Sequence, residues 1–342
     1  MALIPRDGFN LEAEPSPGLT DEARALLVES FAPETRRAYS RIMRHWAAFC
    51  EVRGLQSWPP DPVTVCNYLA DMHREERKAS SIELHASALS SVAQRAGLPS
   101  LRAHPLVRAT IRGLKKTAAP AQGAAYVDPA TMGQIAAWLG ERADAGDVVS
   151  CRDRALLLLG YASACRASEL CALQLGDVEP RTWGLVLHLR RHFATGREVR
   201  NGTKTSPEPV SVEVLASVQP DRCPVRAWQA WLALHPAPEP SAWAWPAAQG
   251  KGRPGGAAAA SVRPLRPRAF RDLCARLRRR LAGEVAGVDA LTPHALRVGY
   301  LTTAARQGGS LADLQRQARH KSAQTTLRYL RAAELGSGTR VL

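Results

Sequence analysis

Three short stretches of this chain hold side chains able to grip an anion and move a proton. Near the carboxy end, ARHKSAQTTLRYL (318–330) sets His320 and Tyr329 nine residues apart, with Lys321 and Arg328 beside them. Upstream, LTPHALRVGY (291–300) places His294 and Arg297 three residues apart, so their side chains share one face of a helix. Farther upstream, Arg166 interrupts the apolar stretch LLLLGYASACRASEL (156–170). A bare arginine there must find a buried carboxylate or serve an anion, and Glu169, three residues on, can orient it. Taken singly, each of these residues fits a solvated helix or a satisfied core position. Together they assemble two guanidinium groups, two imidazoles and a phenol, which are the groups for holding an oxyanion and relaying protons.

The elements that must position them are readable from caps and periodicity. Thr292 can cap a helix that Pro293 starts and that Gly308 and Gly309 stop. A second short helix starts from a Ser310 cap, and His320 follows it directly. Ser322 can cap the last helix, which carries Tyr329. Helices are also expected over about 129–141 and 151–163. GLVLHLRR (184–191) and EPVSVEVL (208–215) read as strands of a small sheet, with a hairpin around residue 202. The stretch 235–262, rich in Pro, Gly and Ala, reads as an irregular surface connection in which Trp243, Trp245 and Pro246 are buried anchors rather than stacking groups.

The first 116 residues are helical in pattern. In PETRRAYSRIMRHWAAFCEVRG (33–54), Tyr39, Ile42, Met43, Trp46, Phe49 and Cys50 fall on one stripe. Arg36, Arg37, Arg41 and Arg44 lie mostly off it. A helix over about Ser80–Ala96 ends at Gly97, and LVRATIRGLKK (106–116) carries Arg112, Lys115 and Lys116. The predicted organisation is a loose leader (1–19), a compact helical domain (20–116), a proline-broken linker (117–127), a larger domain (128–334) and a short tail (335–342). The fold class expected is mainly α with a small antiparallel β-sheet.

Composition narrows the partner. The 342 residues carry 46 Lys and Arg against 31 Asp and Glu, a net charge of +15. From residue 128 onward 30 Lys and Arg face 18 Asp and Glu, so the larger domain dominates the field. Such an excess concentrates an anionic polymer, nucleic acid first among them. Only six of the cations are lysine: Lys78, Lys115, Lys116, Lys204, Lys251 and Lys321. Lysine can give up a proton near neutral pH and arginine cannot, so each is worth weighing as an acid. Seven scattered cysteines without a C-x-x-C pair fit thiols in a reducing cytosol, not a disulfide frame or zinc site. No signal peptide or membrane span is legible, and a cytoplasmic protein is expected.

The order Arg166 in A-C-R-x-S-E-L, His294-x-x-Arg297, His320-K-S and Tyr329 in T-T-L-R-Y-L resembles the tyrosine recombinase (phage integrase) family over roughly residues 20–335. The GTKT segment (202–205) and T-P-H-x-x-R-V-G are most similar to its Cre-like members. The resemblance implies a helical core-binding domain followed by a catalytic domain. It implies a site-specific recombinase that cuts and rejoins duplex DNA through a 3′-phosphotyrosyl link, with no metal, ATP or other cofactor. In that reading Tyr329 is the nucleophile, and Arg166 and Arg297 clamp the scissile phosphate. His294 and His320 hydrogen-bond it or assist proton transfer. Lys204 protonates the leaving 5′-oxygen, with Lys321 as its rival; Glu169 supports Arg166. Arg36, Arg37, Arg41, Arg44, Arg112, Lys115, Lys116, Arg319 and Lys321 are the expected DNA contacts. The family usually has glycine where this chain has Arg319, so a strained turn or an added phosphate contact is expected there.

The resemblance further implies a homotetramer on two DNA sites. The tail containing Val341 and Leu342 then either docks on a neighbouring protomer or frays. With about 20 residues before the first helix, a simple Cre-like or Xer-like architecture is expected, without an added arm-binding domain. Three rivals remain: a type IB topoisomerase or telomere resolvase, a DNA-binding protein without catalysis, and a metal-dependent nuclease or transposase.

Overall fold

The structure is a computed structural model, and it describes residues 20, 22, 33–118, 125–194, 197–200, 210–249, 253–254 and 263–334. The chain divides between Ala121 and Gln122 into two compact units.

The described part of the first unit is four helices: α1 (Pro33–Val52), α2 (Pro62–Arg74), α3 (Ala79–Arg95) and α4 (Pro105–Thr117). The apolar stripe of α1 turns inward, with Ile42, Met43, Trp46, Phe49 and Cys50 all buried. Met43, Trp46, Phe49 and Cys50 pack on Val65, Tyr68 and Leu69 of α2, Ile82 and Leu89 of α3 and Val107 of α4. Helix α2 lies within a span that the sequence marks only as generally helical. Its start is fixed locally, because Asp61 accepts a hydrogen bond from the Thr64 backbone N–H at 2.8 Å and Pro62 occupies the first turn.

The second unit opens with α5 (Pro129–Asp144) and α6 (Val148–Ala162), each capped by an aspartate, Asp128 and Asp147. Helix α6 is buried on nearly every face from Ala155 to Gly160, which explains the unbroken apolar run of its sequence. After the five-residue helix α7 (Ala167–Cys171) come β1 (Val178–Arg181), β2 (Gly184–Leu189), β3 (Arg191–Ala194), β4 (Arg197–Arg200) and β5 (Val210–Leu215). Strand β2 is the centre of an antiparallel sheet ordered β1-β2-β5, in which Leu187 faces Val178 on one side and Val212 on the other. The two strands read from sequence therefore pair with each other. Between them the structure inserts a separate ribbon, β3 with β4, in which Ala194 faces Arg197. The expected hairpin around residue 202 lies outside the described residues.

Next come α8 (Pro224–Ala233), the short pair β6 (Ala248–Gln249) and β7 (Arg253–Pro254), and α9 (Pro267–Leu281). The connection expected on the surface runs partly through the interior instead, with Ala242 to Pro246 buried. Trp243 and Trp245 are 1% and 0% exposed, so they anchor this segment and are closed to base stacking. The apolar content of this stretch outweighs its Pro and Gly.

Three helices close the described chain: α10 (Pro293–Arg306), α11 (Leu311–Ala318) and α12 (Ala323–Glu334). The caps of α10 and α11 follow the sequence. Thr292 accepts from the Ala295 N–H at 3.0 Å, and Ser310 accepts from the Asp313 N–H at 3.1 Å. They enclose a small core of their own, Leu301, Leu314 and Ala318, on which Tyr329 and Leu330 pack. Each buried leucine there contributes roughly 1.5–3 kcal/mol, so the helix that carries Tyr329 is seated by little apolar area. All seven cysteines are free thiols. No described helix is long and apolar enough to cross a membrane.

Candidate active site

The site begins where α6 stops. After Ala162 the chain reverses through Ala164, whose φ of +49° is left-handed, and the reversal delivers Arg166 to the start of α7. Left-handed backbone costs a residue with a Cβ roughly 1–2 kcal/mol. Among the described non-glycine residues only Glu76, Ala164 and Arg319 adopt positive φ, and the last two both lie here. Strain concentrated at one place points to a built site.

Arg166 and Glu169 are locked reciprocally. Glu169 Oε2 accepts from the Arg166 backbone N–H at 2.8 Å, and Oε1 accepts from Arg166 Nη1 at 2.6 Å. The Glu169 side chain is almost fully buried, whereas that of Arg166 stays 30% exposed. Of the two options open to this arginine in the sequence, the structure shows the buried carboxylate, and the side chain is still partly exposed.

Helix α10 brings the next pair. Gly299 is required on this helix, because a Cβ there would meet the Val127 carbonyl oxygen at 2.1 Å. The close approach seats α10 against residue 127 and turns Arg297 into the interior, where it is 3% exposed. Arg297 Nη1 donates to the Ala164 carbonyl at 2.6 Å, and Nη2 donates to the Ala318 carbonyl. One side chain thereby ties the α6–α7 turn to the end of α11. His294, one turn earlier on the same helix, is exposed.

Helix α11 ends at Arg319 in the left-handed conformation, φ +56°. Gln315 Nε2 donates to the His320 carbonyl at 3.0 Å, and Gln317 Nε2 reaches the Glu213 carbonyl of β5 at 3.1 Å, so the turn is held from both sides. His320 Nδ1 lies 3.0 Å from the hydroxyl of the fully buried Thr326. The Tyr329 ring stacks on the His320 ring, with centroids 5.9 Å apart and planes 9° from parallel.

The charges here do not balance. Three guanidinium groups, those of Arg166, Arg297 and Arg319, share the single carboxylate Glu169. Burial works to raise the Glu169 pKa, but Arg319 and Arg166 outweigh it and hold the carboxyl below its ordinary range. Burial and the fields of Arg166 and Arg319 pull the Arg297 guanidinium down to about 10. Burial, then Arg297, Arg166, Arg319 and His294, lower His320 to about 4. His294 is lowered by burial, Arg297 and Arg166. Both imidazoles are therefore neutral at pH 7 beside a surplus of positive charge. Such a pocket accepts an anion and offers a phenol and neutral imidazole nitrogen beside it.

The structure brings together Arg166, Glu169, His294, Arg297, His320 and Tyr329, drawn from three separate stretches of sequence. Lys204 lies outside the described residues, as does the tail from residue 335. Lys321 is exposed next to His320. Arg319 departs from the expected DNA contact: its side chain is 4% exposed and pairs with Glu169 Oε2 at 2.9 Å. Burial of the neighbouring carboxylate attracts the guanidinium inward. In the first unit Arg37, Arg41 and Arg44 are exposed along α1 and Arg36 is half-buried. Arg112 and Lys116 are exposed on α4, while Lys115 Nζ lies 2.8 Å from Glu83 Oε1. A further cationic face was missed from sequence. Arg268 and Arg271 stand exposed on α9, opposite the buried Phe270, Leu273 and Leu277. The helical alternation of arginine with apolar residues in PRAFRDLCARLRRRL was the available signal. Among the described residues no group of three His, Cys, Asp or Glu is placed to hold a metal ion.

Known proteins resemble the chain over nearly all of its length. Residues 24–96 match the family model described as phage integrase, N-terminal SAM-like domain. An integrase/recombinase xerD homolog of Selenomonas ruminantium is 26% identical over 331 residues, covering 94% of this chain and 88% of the relative. Recombinase cre of Escherichia phage P1 is 24% identical over 195 residues, 53% of this chain and 55% of that protein. Among solved structures, the Tn1549 transposon integrase in complex with circular intermediate DNA shares the fold at a TM-score of 0.63. It has 16% identity and covers 91% of this chain and 97% of that one.

Proposed function

We propose that this chain, a member of the tyrosine recombinase family, is a site-specific recombinase that cuts and rejoins duplex DNA through a covalent tyrosyl intermediate. The observation that carries the reading is the pairing of a cationic surplus with a phenol: Arg166, Arg297 and Arg319 against Glu169 alone, beside the stacked His320 and Tyr329.

The mechanism follows from the charges. Tyr329 Oη attacks the phosphorus of a DNA phosphodiester, the bond to the 5′-oxygen breaks, and a 3′-phosphotyrosyl ester forms. Rejoining reverses the step, so the bond energy is conserved and no ATP is consumed. A phenol with a pKa near 10 loses its proton at neutral pH at a cost of roughly 4 kcal/mol. The guanidinium field offsets part of that cost. Arg166, partly exposed, and Arg297 hold the non-bridging oxygens, where each well-placed donor is worth about 3–4 kcal/mol. His320 engages Thr326 through Nδ1, so proton transfer at the phenol falls to its other ring nitrogen. His294 binds the phosphate from the exposed start of α10. The leaving 5′-oxygen takes a proton from Lys204, with Lys321 as the alternative donor.

The duplex is bound by both units. Arg37, Arg41, Arg44, Arg112 and Lys116 serve the first, and Arg268 and Arg271 of α9 serve the second. Phosphate contacts make affinity salt-dependent, and base contacts specify the site. Four protomers assemble on two sites, with exchange of the residues after 334, and the protein acts in the cytoplasm on the nucleoid.

The test is recombination between two plasmids that carry the native genomic site, in EDTA and without ATP. Joint products are expected, with little relaxation of a supercoiled plasmid that lacks the site. Efficient relaxation of the site-free plasmid without joint products would assign the chain to the topoisomerase class.

A further inference from the structure

Arg319 occupies a position that its own backbone disfavours. Its φ of +56° suits glycine, and arginine there carries strain of roughly 1–2 kcal/mol. An arginine kept for DNA contact would point to solvent. This one folds back, 4% exposed, and donates to three oxygens: Gln317 O at 2.7 Å, Ala164 O at 3.1 Å and Glu169 Oε2 at 2.9 Å.

Two of those three acceptors are shared with the arginines of the site. Glu169 Oε2 also takes the Arg166 backbone N–H, while Oε1 takes Arg166 Nη1. Ala164 O also takes Arg297 Nη1. Arg319 is therefore the bridge through which Arg166 and Arg297 are joined by hydrogen bonds. It also divides the charge of Glu169. Facing that carboxylate alone, Arg166 would spend its guanidinium on Glu169 and bind a phosphate less well.

We propose that Arg319 is a positioning residue that neutralises Glu169 and fixes Arg166 and Arg297 for the scissile phosphate. It rests on the recombinase reading given above. Arg319 touches no substrate; it acts through the carboxylate and the Ala164 carbonyl.

Glycine is the decisive substitution, because it removes the side chain and also relaxes the turn. Arg319→Gly is expected to lower the thermal midpoint, because relief of the turn offsets only part of the lost buried hydrogen bonds, and to keep the affinity for duplex DNA with the same salt slope. Its single-turnover cleavage of a nicked suicide substrate should slow on the order of 10²-fold. Arg319→Lys, which keeps the charge without the fork, should recover part of that loss. In an Arg166→Ala background Arg319→Gly should slow cleavage little further, since both act through one unit.

Cleavage by Arg319→Gly at the wild-type rate or faster would overturn the proposal, because strain relief would then be all that the substitution does. Weaker duplex binding with a salt slope smaller by about one would overturn it in favour of a phosphate contact. Equal slowing with and without Arg166 would do so in favour of general support. A wild-type protein that forms no covalent adduct on any substrate overturns the recombinase reading, and this inference with it.

Discussion

Each unit of the molecule sets a tyrosine against histidine, and the two arrangements behave differently. In the first, Tyr68 is fully buried and its hydroxyl sits between His45 Nδ1 at 2.7 Å and His85 Nδ1 at 2.6 Å. In the second, Tyr329 is half-buried and stacks on His320. Burial pushes the Tyr68 phenol far above its ordinary range, with Cys50 and Glu75 adding to it. The Arg77 guanidinium works against that rise and does not overcome it. Around His320 the fields of Arg297, Arg166 and Arg319 converge. The contrast teaches that proximity of tyrosine and histidine makes a satisfied core network in one place and, on the proposed reading, a reactive centre in another. Access and unbalanced charge separate the two.

The sharpest break of that comparison is to remove each hydroxyl. Tyr329→Phe should lower single-turnover cleavage on the order of 10⁴-fold or more while leaving duplex binding intact. Tyr68→Phe should leave the cleavage rate nearly unchanged and cost about 1 kcal/mol of stability in urea unfolding, because the part-buried hydrogen bonds to His45 and His85 are lost. Comparable activity losses from both would erase the distinction.

Next in size are the buried and half-buried cations of the second cluster. Arg166→Ala and Arg297→Ala should each slow cleavage on the order of 10²–10³-fold in quench-flow measurements. Arg297→Ala should also lower the thermal midpoint, since the Ala164 and Ala318 carbonyls lose a buried donor. Arg166→Ala should lower it less, its side chain being partly exposed.

The histidines give a smaller, pH-dependent contrast. Burial, then His45, Arg77 and Arg41, lower His85 to about 4, the same level as His320. The unfolded chain protonates both near 6.5, whereas the folded chain resists until about 4. Their contribution to stability is therefore complete above pH 6.5 and declines as pH falls toward 4. Bound duplex separates the pair. An anion cancels the guanidinium field at His320 and should raise its pKa in an NMR titration, leaving His85 where it was. Equal response of the two would contradict the assignment of the phosphate to this cluster. Smallest of all, Arg37→Ala or Arg41→Ala should each reduce the salt slope of duplex binding by about one.

Much of this was legible in sequence where the signal is local. The Thr292 and Ser310 caps, the inward stripe of α1 and the exposed remainder of its arginines follow from spacing and end chemistry alone. The candidate site residues were legible by type, because an arginine inside an apolar run and a histidine–arginine pair on one helical face have few uses. What sequence could not supply is set by long-range closure. The fate of Arg319 depends on Glu169, 150 residues earlier, and on the Ala164 carbonyl. Spacing contains neither partner, and the expectation of a phosphate contact failed for that reason. The burial of Trp243, Trp245 and Pro246 was legible, whereas the surface course expected for the chain around them was not, since Pro and Gly content says nothing of what lies on either side. The ribbon of β3 and β4 interrupts a strand pair whose two members were each recognisable.

The central claim is that Tyr329 becomes esterified to DNA, and mapping the attachment residue tests it most directly. Wild-type protein is trapped on a nicked suicide substrate from the native site, digested, and the nucleotide-bearing peptide is sequenced by mass spectrometry. A phosphodeoxynucleotide on Tyr329, formed equally well in EDTA, is the predicted result. Attachment at another residue, Tyr300 included, or cleavage that EDTA abolishes and Tyr329→Phe leaves untouched, would contradict it.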